Sequence, residues 1–176
     1  VFSGEFLDPN AIRHALLATL LFCMASSAIY VVNDIHDIER DRQHPKKSKT
    51  RPLAAGIVSI PEALALLGVL LALLAGGWFF AENVLLAITA YVILNLAYTF
   101  ALKHQPVVDI FSIAIGFVLR VYAGAIALTA PISAWMFITT LCLALYLAAI
   151  KRRQELSQSG SAARKVLGKY SVSLVD

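Results

Sequence analysis

The stretch Leu16-Leu17-Ala18-Thr19-Leu20-Leu21-Phe22-Cys23-Met24-Ala25-Ser26-Ser27-Ala28-Ile29-Tyr30-Val31-Val32 carries no charged side chain. It runs straight into Asn33-Asp34-Ile35-His36-Asp37-Ile38-Glu39-Arg40-Asp41. Extended back to Ala11, the apolar part is long enough as a helix, at about 1.5 Å per residue, to cross a hydrocarbon core of about 30 Å. Four similar blocks follow, so apolar runs occupy 11–32, 61–80, 83–102, 107–128 and 132–150. Hydrophobic residues make up 59% of the 176 and charged ones 15%, against about 25% charged in a soluble domain. The mean hydropathy of +0.75 agrees. These figures predict an all-α, polytopic transmembrane helical bundle of about five spans, forming one membrane-embedded domain over residues 1–176.

The breaks between blocks carry helix punctuation. Pro61 and Pro106 each open a block as a first-turn proline does, Glu82-Asn83 makes a tight connection, and Thr129-Ala130-Pro131 closes a short turn. No basic segment precedes the first block, so it does not read as a signal peptide. A disulfide scaffold is excluded: the two cysteines, Cys23 and Cys142, lie inside apolar blocks and read as small core hydrophobes.

Charge placement sets the orientation. Of the fifteen Lys and Arg residues, all but Arg13 and Arg120 fall in alternate connections or after the last block. The two short connections near 82 and 130 carry none. The positive-inside rule makes the basic side cytoplasmic, and hence predicts a multi-pass protein of the cell (inner) membrane. The net charge of +4 is thereby a matter of topology, with no nucleic-acid partner implied.

Three constellations carry chemistry. At the end of the first block, a continued helix puts Asn33, Asp37 and Asp41 on one face, with Asp34 one position round. Carboxylates bordering a span are costly without a role. Their oxygens and the asparagine carbonyl are hard ligands suited to Mg2+, which also seeks substrate phosphates. The bland reading is a solvated acidic helix end. The basic run His44-Pro45-Lys46-Lys47-Ser48-Lys49-Thr50-Arg51 follows at once. It suits diphosphate recognition as well as it suits an ordinary positive-inside loop. A third cluster joins Tyr98, Lys103 and Asp109, with Arg120 three turns further along the same helix, roughly 16 Å on. Arg120, flanked by Gly116 and Gly124, either lines a polar cavity closely approached by a neighbour or makes a structural ion pair. The last basic segment, Lys151-Arg152-Arg153 with Arg164 beyond, is either a lid over phosphates or a patch for anionic lipids.

Together these residues resemble the UbiA-type intramembrane prenyltransferase superfamily. Asn33-Asp34-x-x-Asp37-x-x-x-Asp41 is similar to its N-D-x-x-D-x-x-x-D motif. The continuation Asp41-Arg42-x-His44-Pro45-x-Lys47, with Arg51-Pro52-Leu53-Ala54-Ala55-Gly56, resembles the branch of decaprenyl-phosphate phosphoribosyltransferases. So do Tyr98-x-x-x-Leu102-Lys103 and Gly116-Phe117-x-Leu119-Arg120-x-x-Ala123-Gly124. A second D-x-x-x-D motif, usual where the acceptor is aromatic, is absent, since Ile113 stands four residues after Asp109.

The resemblance implies a bundle of nine helices in the whole family, so this chain is expected to lack the first and the last of them. It implies Mg2+ as cofactor, held by Asn33, Asp34, Asp37 and Asp41. It further implies transfer of 5-phosphoribosyl from phosphoribosyl pyrophosphate to a polyprenyl phosphate. Asp37, Asp41, Asp109 and Tyr98 are the expected catalytic residues; Lys47, Arg51, Lys103, Arg120, Lys151, Arg152 and Arg164 are the expected substrate contacts. Membrane lipids are the expected surroundings. Two other readings are prenyl transfer from a polyprenyl diphosphate to an aromatic or quinone precursor, and a transporter whose Asp109 and Arg120 line a path.

Overall fold

The computed structural model describes residues 8–45, 47–79, 81–105 and 107–159. Every regular element among them is helical: α1 Pro9–His36, α2 Ile38–Gln43, α3 Lys47–Thr50, α4 Ile60–Gly77, α5 Glu82–Phe100, α6 Val108–Ala127 and α7 Ala134–Ser159. A 3-10 turn, Leu102–His104, follows α5. The five long helices α1, α4, α5, α6 and α7 are each long and apolar enough to cross a membrane. Arg164, Lys46 and the expected block opener Pro106 lie outside the described residues.

Helix ends follow local chemistry that hydropathy does not register. The Asp8 side chain accepts from the Asn10 amide at 3.0 Å and starts α1 at Pro9, ahead of the expected Ala11. Ser59 and Glu62 form a reciprocal capping box that starts α4 at Ile60, with Pro61 in its first turn. Glu82 and Asn83, expected as the connection, instead form the first turn of α5. Before them the Ala81 amide donates to the Gly77 carbonyl at 3.0 Å.

The chain divides into two compact units, Val1–Ile88 and Thr89–Asp176, the division falling inside α5. In the first unit α1 packs on α4. Ala18, Leu21, Ala25 and Ala28 recur along α1 at three- and four-residue steps, so they share the buried face. Small side chains there let the backbones draw close. Gly77 is where that closeness is needed: a Cβ at this position would sit 2.6 Å from Cδ2 of Leu21. Leu21 is itself buried and has little room to yield. Gly77→Ala is therefore expected to destabilise the protein by about 1–3 kcal/mol through overpacking. Gly68→Ala, with nothing within 4 Å of the added methyl, should leave the melting temperature in detergent unchanged or raise it, Ala being the better helix former. Equal melting of the two variants would refute the close contact.

In the second unit α6 packs on α7 and on the 3-10 turn. Ala114, Ala123, Ala144 and Ala148 supply the small buried residues. Much of the large apolar surface is exposed, on α4 at Leu64, Leu66, Val69, Leu71 and Leu73 among others. Lipid is the solvent of such a surface, so exposure there carries no hydrophobic penalty. The same fact corrects the expectation for the cysteines. Cys23 and Cys142 are free and exposed, not core residues, because an apolar block in a membrane helix has an outward face as apolar as its inward one.

Candidate active site

In the first unit the acidic run straddles a break. The helix expected to continue through Asp41 ends at His36, and Asp37 (φ −96°, ψ 5°) separates α1 from α2. The hydrogen-bond ladder nevertheless carries across it. The Asp37 amide donates to the Asn33 carbonyl and the Asp41 amide to the Asp37 carbonyl, each at 2.9 Å. Asn33, Asp37 and Asp41 thus keep the four-residue step of a single helix.

The basic loop folds back onto this run. His44 and Lys47 carbonyls accept from the Ser48 and Arg51 amides at 3.0 and 2.9 Å, winding the single turn α3. Lys47 and Arg51 then stand one turn apart. The Lys47 Nζ donates to Asp41 Oδ1 at 3.1 Å, and Arg51 Nη1 pairs with Asp34 Oδ1. Arg40 Nη2 completes the set on Asp37 Oδ2 at 3.0 Å. Three carboxylates therefore face three cations, Asp37 and Asp41 both being buried. Like charges crowded on one helix side repel, and the basic side chains relieve that repulsion here.

The donor chemistry fits Mg2+: an amide carbonyl and three carboxylates are hard oxygen ligands. Each carboxylate is also engaged by a cation. Among the described residues no three His, Cys, Asp or Glu side chains gather as a metal cluster.

The second unit holds a separate buried polar group. Asp109, Arg152, Thr99, Lys103 and Ser112 are all buried. They come from the end of α5, the 3-10 turn, the start of α6 and the C-terminal half of α7. Val107 turns the chain into α6 at φ 68° and ψ −47°, a positive φ that is strained for a β-branched residue. Arg152 Nε lies 2.7 Å from Asp109 Oδ2; the N–H is not aligned as a hydrogen bond, so the contact is ionic. Arg152 Nη1 pairs with Glu155 Oε2, and Nη2 donates to the Tyr98 hydroxyl at 3.4 Å. Lys151, its chain neighbour, is exposed.

Arg120 does not join that group. Its Nη2 donates to the Tyr91 hydroxyl at 2.9 Å, and its guanidinium sits 5.3 and 5.2 Å from the ring centres of Tyr91 and Phe117. Two aromatic faces and a hydroxyl offset the desolvation of a cation deep in a membrane helix. The flanking glycines are not required by close approach. A Cβ on Gly116 would make ordinary contact with Tyr91 at 3.7 Å, and one on Gly124 would meet nothing.

Residues 3–164 match the UbiA prenyltransferase family. The chain belongs to that family. With its five apolar helices, this UbiA-family chain is a membrane protein. It is 40% identical over 161 residues to decaprenyl-phosphate phosphoribosyltransferase of Mycolicibacterium smegmatis, covering 89% of this chain and 50% of that protein. The protein of the same name from Mycobacterium tuberculosis is 40% identical, with 88% and 52% covered. That of Corynebacterium glutamicum is 39% identical, with 96% and 52% covered. The UbiA-family chain spans about half the length of these relatives.

Of the side chains the sequence singles out in this UbiA-family chain, Asp34, Asp37, Asp41, Lys47 and Arg51 are joined in one ionic group. Tyr98, Asp109 and Arg152 are joined in another, with Lys103 buried on the adjacent turn. Arg40, Glu155 and Tyr91 complete these contacts and were not among the expected site residues. Arg40 and Glu155 each stand three residues from the side chain they pair with, a helical spacing that could have exposed them. Tyr91 lies 29 residues from Arg120 and offered no local signal.

Proposed function

We propose that the whole protein transfers 5-phosphoribosyl from phosphoribosyl pyrophosphate to a polyprenyl phosphate, at the cytoplasmic side of the cell (inner) membrane. The observation that carries this reading is the basic loop folded onto the acidic run, Lys47 on Asp41 and Arg51 on Asp34. Both cations stand where a diphosphate could take them over from the carboxylates. The likeness to decaprenyl-phosphate phosphoribosyltransferases supports the choice of donor and acceptor. The cytoplasmic side is proposed because Lys47, Arg51, Lys103 and Lys151 lie in connections or at helix ends that the positive-inside rule keeps there.

Asn33, Asp34, Asp37 and Asp41 would hold Mg2+, which when bound supplies positive charge to offset the leaving diphosphate. Lys47 and Arg51 bind the donor's diphosphate through charge-assisted hydrogen bonds. In the second unit, Lys103 and Lys151 are proposed as phosphate contacts and Tyr98 and Asp109 as orienting groups, while Arg120 and Arg164 remain proposed substrate contacts. The acceptor phosphate is already anionic, so no strong general base is needed, and the chain contributes positioning and charge stabilisation. The apolar helix faces hold the isoprenoid tail.

The test uses the full-length protein in membranes with radiolabelled donors. Label from phosphoribosyl pyrophosphate is expected to pass to a polyprenyl phosphate. Transfer from a prenyl diphosphate to an aromatic or quinone precursor, with none from phosphoribosyl pyrophosphate, would replace this reading with prenyl transfer.

A further inference from the structure

Arg152 occupies an unusual place for a phosphate contact. Its side chain is 1% exposed and that of its partner Asp109 is fully buried. All three guanidinium nitrogens are committed, each to a different side chain: Nε to Asp109, Nη1 to Glu155 and Nη2 to the Tyr98 hydroxyl. A phosphate would have to enter a site that leaves Arg152 1% exposed and compete there with two carboxylates already on the guanidinium, and displacing either would leave a buried charge uncompensated. The planar fork of arginine spreads its donors over three nitrogens in fixed directions, whereas lysine gathers its three donors on one. Glu155, one helical turn beyond Arg152, holds the fork from the more exposed side and is assigned no role by the function proposed above.

We infer that Arg152, gripped by Glu155, is a positioning residue that fixes the Asp109 carboxylate and the Tyr98 hydroxyl, and is not itself a phosphate ligand. The inference rests on the proposed function only in taking Asp109 and Tyr98 as orienting groups. Lys151 is exposed and keeps the role of phosphate contact proposed for it. Arg152 and Glu155 act through the residues they hold.

The measurement is kcat and KM for phosphoribosyl pyrophosphate in the full-length protein, per folded molecule, for Glu155→Gln, Arg152→Lys, Asp109→Asn and the double variant Asp109→Asn/Arg152→Lys. Glu155→Gln is expected to lower kcat roughly tenfold with KM changed less than about twofold, since coupled neighbours share energies of that order. The double variant should lose no more kcat than Asp109→Asn alone, because Arg152 works through Asp109. A KM raised more than tenfold in Arg152→Lys, with losses that multiply in the double variant, would make Arg152 a phosphate ligand and overturn the inference. Unchanged kcat per folded molecule, with only the folded yield reduced, would reduce the group to a structural clamp and also overturn it. If the Arg152 variants do not fold, Glu155→Gln decides alone, its carboxylate being partly exposed. Failure of the donor reading is visible separately, as no turnover of phosphoribosyl pyrophosphate by the unmutated protein. The same kcat and KM comparison is then read with prenyl diphosphate.

Discussion

Asp37→Ala is expected to reduce turnover by the full-length protein at least about a hundredfold, the scale of losing one preorganised electrostatic contact in an active site. Its amount in the membrane should stay near normal. The fold tolerates the change because the backbone, not the side chain, carries the helix across the break. Both ladder bonds at this point, Asp37 N to Asn33 O and Asp41 N to Asp37 O, survive truncation. The lost partner, Arg40, has a side chain 40% exposed and can turn to water, so the broken pair weighs little on stability. Asp41 is a poorer probe, since its side chain is only 5% exposed and losing it strands Lys47. The chemical loss has two parts. One hard oxygen ligand disappears from the donor set, and the acidic run gives up one of three negative charges that would draw a divalent cation. A readout independent of turnover is Mn2+ binding followed by its electron paramagnetic resonance, which should weaken in Asp37→Ala and stay intact in Glu39→Gln. Full turnover by Asp37→Ala, or turnover that persists in excess chelator, would remove Mg2+ from the mechanism.

The spans were legible in the sequence because the bilayer imposes a length, and blocks of that length between charged connections leave few alternatives. Their ends were less so. The capping box at Ser59 and Glu62 and the first turn at Glu82 are set by individual hydrogen bonds, and hydropathy averages over them. In the candidate site, what the four-residue step governs was readable: Asn33, Asp37 and Asp41 keep that step even across the break. What the step does not govern was hidden. Arg51 reaches Asp34 from 17 positions away because a single helical turn, too short to show a period, reverses the loop. The run Lys151-Arg152-Arg153 looked uniform, yet only Arg152 is buried. Nothing in three consecutive basic residues says which one points inward; Glu155, three positions on, was the available hint. The cysteines were misread for a general reason, since in lipid an apolar residue is no more at home inside the protein than outside it.

Lys47→Ala and Arg51→Ala should each weaken phosphoribosyl pyrophosphate binding roughly ten- to hundredfold. Hydrogen bonds to charged groups are typically worth about 1.5–3 kcal/mol, which converts to that range of affinity. The donor is compact, highly anionic and water-soluble, so it has no apolar contact to compensate. A prenyl diphosphate differs there: each buried CH2 of its tail contributes about 0.8 kcal/mol, and it should keep most of its affinity in either variant. Each cation has its own direct partner: Lys47 is tied to Asp41 and Arg51 to Asp34, so each substitution frees one carboxylate and leaves the other contact in place. Lys49 lies between them in sequence but is exposed, and Lys49→Ala serves as the control for loop charge, with donor affinity expected to stay within about twofold at physiological ionic strength, where exposed charges are largely screened. Lys47→Arg keeps the charge and should recover most of the lost affinity. The measurement is equilibrium binding of both donors to the full-length protein and these variants. Equal weakening in Lys49→Ala would reduce the loop to a diffuse positive patch. Undiminished phosphoribosyl pyrophosphate affinity in both Lys47→Ala and Arg51→Ala would mean that the ion pairs of the first unit serve only to neutralise its carboxylates, and the donor's diphosphate would have to be recognised elsewhere.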